Sequence, residues 1–168
     1  LPECLEKEPN DATGAAQPVT LPAIVNGRIG SPGDGDVFRF AGRAGEQVVA
    51  EVTARRLDSP LDSALELTDA AGRRLAFNDD QADRGDGLNT HHADSLIHFT
   101  LPADGTYCLR LGDAQRRGGL ESAYRLRISP PRPDFALRVV PSCINASSWR
   151  LTPVTVFATP PSDEPLTA

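Results

Sequence analysis

The sequence predicts an all-β chain, built as a jelly-roll-like antiparallel β-sandwich of about eight strands. Three observations predict this fold class. Apolar and polar residues alternate along short runs, turn residues separate those runs, and no segment keeps the 3.6-residue period of a helix. The 15 Pro and 14 Gly among 168 residues are also typical of a β-protein rich in turns.

Each alternating run gives a strand with one buried and one solvated face. The composition of Asp69-Ala70-Ala71-Gly72 indicates a tight turn between two of these strands. The residues expected to point into the core are, in chain order, Phe38, Phe40, Val48, Ala50, Val52, Leu65, Leu67, Leu75, Phe77, Ile97, Phe99, Leu101, Tyr107, Leu109, Leu111, Tyr124, Leu126 and Ile128.

The domain organisation follows from a proline-rich stretch after the last of these strands. Residues 1–130 form the predicted sandwich, and residues 131–133 belong to a linker that its prolines keep extended. Residues 134–168 contain two more strand-like runs, which are too few to bury an independent core. We therefore interpret residues 134–168 as the truncated start of a second β-domain with a disordered tail.

Composition excludes several classes of function. The net charge of −6 argues against a nucleic-acid partner, because binding to phosphates requires a basic surface. No apolar run is long enough to predict insertion into a membrane.

The three cysteines, Cys4, Cys108 and Cys143, have no metal-like spacing, and both a disulfide between two of them and free thiols stay open. The chain begins at Leu1 and contains no Met, so we expect a piece of a longer protein.

Two acidic segments carry the strongest functional signal. Glu6, Glu8 and Asn10 alternate, so an extended backbone points their side chains the same way, and Asp11 adds another oxygen. Asp34 and Asp36 lie on a Gly-rich turn. Ca²⁺ is bound by six to eight oxygens of this kind in flexible geometry. The pattern predicts a calcium site, with two solvated acidic turns as the alternative.

The same segments resemble the bacterial pre-peptidase C-terminal domain, a β-sandwich module of many secreted peptidases. In collagen-binding members of that family, the Glu-x-Glu-x-Asn-Asp segment and a later aspartate pair bind calcium. The resemblance implies this role for Glu6, Glu8, Asn10, Asp11, Asp34 and Asp36, but it implies no collagen binding. The matching pieces run in the family's order across residues 3–129: Glu6-x-Glu8-Pro9-Asn10-Asp11, Val25-Asn26-Gly27-Arg28-Ile29, Gly33-Asp34-Gly35-Asp36-Val37-Phe38-Arg39-Phe40, Phe77-Asn78-Asp79-Asp80, Asp94-Ser95, Gly105-Thr106-Tyr107 and Tyr124-Arg125-Leu126.

A second acidic cluster is predicted where three antiparallel strands begin or end at one end of the sandwich. Several carboxylates gathered there would repel one another unless a cation or an arginine lay among them. A second metal site is one interpretation, and Asp and Asn side chains that hold loop backbone are the other. The residues concerned are Asp62, Asn78, Asp79, Asp80 and Asp94.

No catalytic residues are predicted. His91, His92 and Asp94 could be zinc ligands, but adjacent histidines point apart on an extended chain, so loop histidines are the better interpretation. Ser95 could be combined with a histidine and Asp94 into a triad, but the sequence has no nucleophile elbow or Gly-rich oxyanion loop.

The expected function is therefore that of a non-catalytic, calcium-stabilised accessory module of a secreted or cell-surface multidomain protein. The resemblance implies attachment to a hydrolase, often a peptidase, and a role in substrate or matrix binding, secretion or maturation. Its partners would be an extracellular matrix protein, a polysaccharide or the parent protein's catalytic domain. The alternative is a structural spacer or adhesion module of a surface protein, with no ligand beyond calcium.

Overall fold

Ten strands in two five-stranded sheets form the first of two units into which the chain divides, Leu1–Pro130 and Pro131–Ala168. The computed structural model describes residues 1–80 and 94–132, together with the backbone of residues 136–140 and 155–159. Two short 3-10 helices, Thr13–Ala15 and Arg55–Leu57, accompany the strands of the first unit. These strands are β1 (Glu3–Leu5), β2 (Gln17–Pro18), β3 (Ala23–Arg28), β4 (Gly35–Gly42), β5 (Gln47–Thr53), β6 (Ser63–Asp69), β7 (Arg74–Asn78), β8 (Leu96–Thr100), β9 (Gly105–Asp113) and β10 (Ala123–Ser129).

The two sheets face each other as a sandwich, which confirms the predicted fold class. The strand order is β1-β3-β10-β5-β8 in the first sheet and β2-β4-β9-β6-β7 in the second. Most neighbours are antiparallel, but β1 is parallel to β3 and β2 is parallel to β4. Both sheets are therefore mixed, and the N-terminal strands β1 and β2 form one edge of each sheet.

The core lies between the sheets and is formed by most of the predicted inward residues. Phe38, Leu65, Leu111, Leu126 and Ile128 are fully buried there. A smaller apolar cluster of Ala16, Val37 and Cys108 is also buried. Val37 therefore lies opposite Phe38 and Phe40 along its strand but does not face solvent, because the segment at Ala16 covers it.

Phe77 corrects one predicted core position. Its side chain is 51% exposed, and the residue pairs with Glu66 of the neighbouring strand. The register between β6 and β7 shifts after Leu67, so that Leu75 has no partner and Arg74 pairs with Thr68. A bulge of this kind moves the residues beyond it to the opposite face of the sheet. The simple alternation of Leu75 and Phe77 did not anticipate this shift.

Residues 1–80 and 94–132 contribute ten strands to the sandwich where about eight were expected, since the short N-terminal strands lack a clear period. β1 has three residues and β2 has two, which is too short for alternation to be visible. In β3, Ala23, Ile24 and Val25 are all buried in succession. Polar-apolar alternation therefore fails for each of these three strands.

Among the residues of the second unit that the structure describes, β11 (Ala136–Val140) and β12 (Thr155–Thr159) form an antiparallel pair. Val139 pairs with Val156 in this ladder. Both strands fall on runs that the sequence predicted. Within the part of the chain that the structure describes, no helix is long and apolar enough to cross a bilayer.

Candidate metal centre

The two predicted acidic segments converge in the folded chain. Oxygens of Glu6, Glu8 and Asp36 lie within 4.8 Å of one another, and so do oxygens of Glu8, Asp11 and Asp34. The two groups share Glu8 and together form what we call the acidic cluster, which also includes Asn10. The structure therefore brings together all six residues that the sequence and the resemblance assigned to the first site.

Backbone hydrogen bonds fix the N-terminal half of the acidic cluster. The Glu6 N–H donates to the Asn26 carbonyl at 3.0 Å and continues the pairing of β1 with β3. The Val37 N–H donates to the Asn10 carbonyl at 3.0 Å, which ties residue 10 to β4. These contacts place residues 6–10 between β3 of the first sheet and β4 of the second sheet, next to Asp36 at the start of β4.

Tyr124 connects two carboxylates of the acidic cluster. Its hydroxyl lies 2.5 Å from Asp36 Oδ2 and 2.9 Å from Glu6 Oε2, and it donates a hydrogen bond to them. Both the Tyr124 side chain and Asp36 are buried. Glu6 is held further by the Arg28 N–H, which donates to Glu6 Oε1 at 2.9 Å. The phenol therefore orients the two carboxylates from the interior of the sandwich.

Gly27 provides the space that this arrangement needs. A Cβ atom at position 27 would overlap the Tyr124 hydroxyl and the Glu6 carboxylate. Gly27 pairs with Tyr124 across the β3–β10 ladder, so the backbone cannot easily move away. The close approach of these side chains to the strand thus requires glycine here.

The Asn10 side chain is fully buried and faces carboxylate oxygens. With its NH₂ group directed into the cluster, the Asn10 amide donates to Asp36 Oδ1 at 2.9 Å and to Glu8 Oε2 at 3.3 Å. In the opposite orientation the amide oxygen would face only acceptors there, so the orientation with the NH₂ group inward satisfies the amide. A cation between these oxygens would instead favour the orientation with the oxygen inward. Asn10 can therefore serve the cluster as a donor or as a metal ligand.

Burial and neighbouring carboxylates raise the pKa values of three residues of the acidic cluster. Burial raises the pKa of Asp36 to about 8, and the neighbouring Glu6 and Asp34 add to this effect while the Tyr124 hydroxyl opposes it. Burial also raises the pKa of Glu8, with the charges of Asp34 and Asp11 adding to it. A hydrogen bond between the Asp11 and Asp34 carboxyl groups raises the pKa of Asp11. Without a cation, these raised pKa values favour the protonated forms of Asp36, Glu8 and Asp11 at higher pH than in isolated carboxylates.

The donor set of the acidic cluster fits calcium. It contains five carboxylates and one amide, which are hard oxygen donors, and no nitrogen or sulfur ligand is needed. Raised pKa values point the same way, because a divalent cation replaces the protons that the crowded carboxylates otherwise retain.

The second predicted acidic cluster does not show the same convergence. Among residues 1–80 and 94–132, the groups of three close carboxylates are the two described above, and neither includes Asp62, Asp79, Asp80 or Asp94. Asp62 Oδ2 accepts from Gln115 Nε2 at 3.0 Å. Asn78 accepts from the Leu96 N–H and donates to the Asp80 carbonyl. A metal site at these residues stays a prediction.

The buried Asp94 carboxylate is surrounded by N–H donors. Oδ1 accepts from the backbone N–H groups of Ala54 and Arg55, at 3.0 and 2.8 Å. Oδ2 accepts from Arg56 Nε at 2.9 Å and, at 3.3 Å, from the Arg56 backbone N–H. Three successive backbone N–H groups around one carboxylate form an anion-binding nest. This geometry favours the interpretation that Asp94 holds loop backbone.

The residues that could have formed a catalytic triad serve other contacts. The Ser95 hydroxyl is fully buried, donates to the Ser63 carbonyl at 2.6 Å and lies 2.9 Å from Ser63 Oγ. Asp94 is occupied as described, and His98 is exposed on β8. His91 and His92 lie outside the described residues, so the zinc interpretation at those positions stays untested.

Comparison with solved structures identifies the fold. The chain resembles the pre-peptidase C-terminal domain of a collagenase from Bacillus anthracis, with a TM-score of 0.52 and 15% sequence identity over 74% of this chain and all of that domain. The chain has the fold of a pre-peptidase C-terminal domain. The family resemblance that the sequence predicted is thereby confirmed at the level of the fold.

Other comparisons place the pre-peptidase C-terminal fold in context. The chain is 41% identical over 107 residues to a probable subtilase-type serine protease of Deinococcus radiodurans. That match covers 62% of the chain and 14% of the protease, so the chain spans a small fraction of this relative's length. A periplasmic inhibitor of g-type lysozyme from Aeromonas hydrophila is similar at a TM-score of 0.45, with 16% identity over 68% of this chain and 98% of the inhibitor. No family model matches the chain.

Sequence reasoning missed two contributors to the candidate centre of this pre-peptidase C-terminal fold. Tyr124 was assigned to the core, which is correct for its ring but leaves out its hydroxyl. Buried tyrosines usually hydrogen-bond through that group, so a polar partner could have been expected. Gly27 offered no comparable signal, because its role depends on the pairing of β3 with β10.

Proposed function

We propose that this chain is a non-catalytic, calcium-stabilised accessory module of a secreted or cell-envelope peptidase. The convergence of five carboxylates and the Asn10 amide from two separate segments is the observation that carries the proposal. A cation at this cluster would join residues 6–11 to the start of β4, and so would fix the N-terminal segment onto the sandwich. Calcium would therefore act as a structural ion.

The accessory role is supported by the comparisons. The solved relative is a domain of a collagenase, and the curated relative is a probable serine protease of which this chain matches a small part. A module of this size beside a larger protease would serve its binding of substrate or matrix, its secretion or its maturation. Its partner would be a matrix protein, a polysaccharide or the parent catalytic domain.

The non-catalytic assignment is supported by the contacts of Ser95 and Asp94. A nucleophilic serine needs an accessible hydroxyl next to a general base. Ser95 Oγ is instead buried against Ser63, and the Asp94 carboxylate accepts from the N–H groups of residues 54–56. The purified chain should hydrolyse neither peptides nor esters, and turnover that a Ser95→Ala variant abolishes would contradict this assignment.

Calorimetric titration with CaCl₂ tests the calcium assignment. We expect saturable binding in the micromolar-to-millimolar range. Asp36→Asn should weaken it strongly, because the substitution removes one of the charged ligands. Asp104→Asn is the matched control, since Asp104 is an exposed carboxylate whose contact is the Ala44 N–H. A chain that takes up no calcium, or an Asp36→Asn variant that binds like the Asp104→Asn control, would refute the assignment.

The accessory role is tested in the full-length parent protein. Deleting residues 1–130 of this chain from it should lower the secreted yield or the activity on large, insoluble substrates, while activity on a short peptide stays unchanged. If neither yield nor activity changes, the spacer or adhesion role becomes the better account.

A further inference from the structure

The side chain of Gln17 makes two hydrogen bonds to backbone on either side of the calcium-ligand candidate Glu6. Gln17 Nε2 donates to the Leu5 carbonyl at 3.0 Å, and Gln17 Oε1 accepts from the Lys7 N–H at 2.7 Å. The side chain is buried, with 9% of the residue exposed. Its amide thus pairs with residues 5–7 as a neighbouring strand would, on the side of the chain opposite to β3.

The backbone of Gln17 belongs to the other sheet. Gln17 pairs with Phe38 of β4, two residues beyond Asp36, and the Val19 N–H extends this pairing with a 2.9 Å bond to the Arg39 carbonyl. The residue therefore joins the edge strand of the first sheet, through its side chain, to the ligand-bearing strand of the second sheet, through its backbone. Together with the bond from the Val37 N–H to the Asn10 carbonyl, Gln17 thus links the two segments of the acidic cluster.

The same contacts close a loop at its base. Lys7 and Gln17 are ten residues apart, and the chain between them carries Glu8, Asn10 and Asp11. A closed loop has fewer conformations to lose when its side chains converge on an ion. Ligands that are already held in place bind more tightly, since binding does not have to order them.

We propose that Gln17 is a positioning residue for the calcium centre, which sets calcium affinity by closing the ligand loop without itself contacting the ion. This inference rests on the proposed calcium function of the acidic cluster. It predicts that affinity depends on a side chain that carries no charge and supplies no ligand. Substitutions of residues in the outer shell of metal sites typically weaken binding by about 10- to 100-fold.

The test compares Gln17→Met with the wild-type chain by calorimetric titration with CaCl₂. Methionine keeps the length and volume of the side chain but makes neither hydrogen bond. The dissociation constant should rise about tenfold, with an unchanged number of bound ions. The matched control is Gln47→Met, because Gln47 is an exposed glutamine at the start of β5 and belongs to neither acidic cluster. This control should bind calcium like the wild type.

Thermal melts of the same proteins separate positioning from simple structural support. If Gln17 has a positioning role, Gln17→Met should lower the melting temperature more in a buffer with a fixed calcium concentration than in chelator. The inference would be overturned by equal decreases in melting temperature in both buffers together with a dissociation constant within about twofold of wild type. A twofold change in the dissociation constant corresponds to about 0.4 kcal/mol of binding free energy. A Gln17→Met chain without a cooperative melt would be replaced by Gln17→Asn, whose amide is one methylene too short to reach both groups. Wild-type protein that binds no calcium would refute the proposed function itself, whereas wild-type binding with normal binding by both Gln17 variants would refute only the role of Gln17.

Discussion

The Tyr124 hydroxyl lies 2.5 Å from the Asp36 carboxylate, across the interior of the sandwich. Tyr124 is on β10 of the first sheet and Asp36 is on β4 of the second, so this contact joins the two sheets at the acidic cluster. Glu6 shares the same hydroxyl at 2.9 Å. An ion bound by Asp36 and Glu6 would therefore act on the packing of both sheets and on the N-terminal segment together.

Tyr124→Phe should weaken calcium binding by about tenfold. The substitution keeps the buried ring but removes the donor that orients Asp36 and Glu6. Calorimetric titration measures the effect. Tyr107→Phe is the matched control, because its hydroxyl is also hydrogen-bonded, at 2.6 Å to the Ala103 carbonyl, away from the acidic cluster. Equal dissociation constants for the two variants would show that the Tyr124 hydroxyl does not organise the ligands.

The stability of the calcium-free protein should fall as pH rises. In the folded, cation-free protein the pKa of Asp36 is about 8, above its ordinary value of 3.8. Because the pKa of Asp36 is higher in the folded than in the unfolded protein, its protonation contributes stability that is fully present below the unfolded-state pKa. This contribution is lost as pH rises toward the folded-state pKa. Calcium binds the ionised carboxylates and should therefore remove this loss of stability at higher pH. The increase in melting temperature on adding calcium should thus grow from about pH 5 to pH 8.

Melts at several pH values, with and without calcium, measure this increment. Asp36→Asn cannot titrate at position 36 and should show a much smaller dependence on pH. A calcium increment in the wild-type protein that is constant over this range would contradict the protonation of the buried carboxylate.

Asp94→Ala should destabilise the protein equally with and without calcium. The substitution leaves the N–H groups of Ala54, Arg55 and Arg56 without their carboxylate acceptor, at a cost of about 3 kcal/mol. Thermal melts in calcium and in chelator measure the two losses. A loss confined to the calcium-containing buffer would instead support a second metal site at Asp94.

Residues 1–130 should fold alone. Both sheets and the core between them are complete within this unit, from β1 to β10. A chain that ends at Pro130 should therefore melt cooperatively within a few degrees of the full chain. A truncated chain without a cooperative transition would place part of residues 131–168 in the first sandwich and would contradict the predicted domain boundary.

The parts of the fold that sequence predicted are those set by local pattern. Phe38 and Phe40, or Leu109 and Leu111, occupy alternate positions of long strands, and the period alone directs them into the core. Phe77 was misplaced because the bulge after Leu67 is a property of the β6–β7 pair. Neither strand contains a residue type that by itself predicts the bulge.

The candidate site divides in the same way. Glu6, Glu8, Asn10 and Asp11 could be predicted because their spacing is local and resembles a known segment. The roles of Gln17 and Tyr124 could not, since each depends on which strands become neighbours in space. For Asp94 the sequence left two roles open, a metal ligand or a side chain that holds loop backbone. The N–H groups around its carboxylate favour the second role.

Calcium-dependent thermal stability tests the central claim most directly, because it requires the acidic cluster to bind the ion in the folded chain. Calcium at about 100 times its dissociation constant should stabilise the protein by about 2.7 kcal/mol relative to chelator. For a domain of this size, that corresponds to a rise of roughly 10 °C in melting temperature. Asp36→Ala should lose most of this rise, whereas wild-type melts that superimpose in calcium and in chelator would contradict the claim.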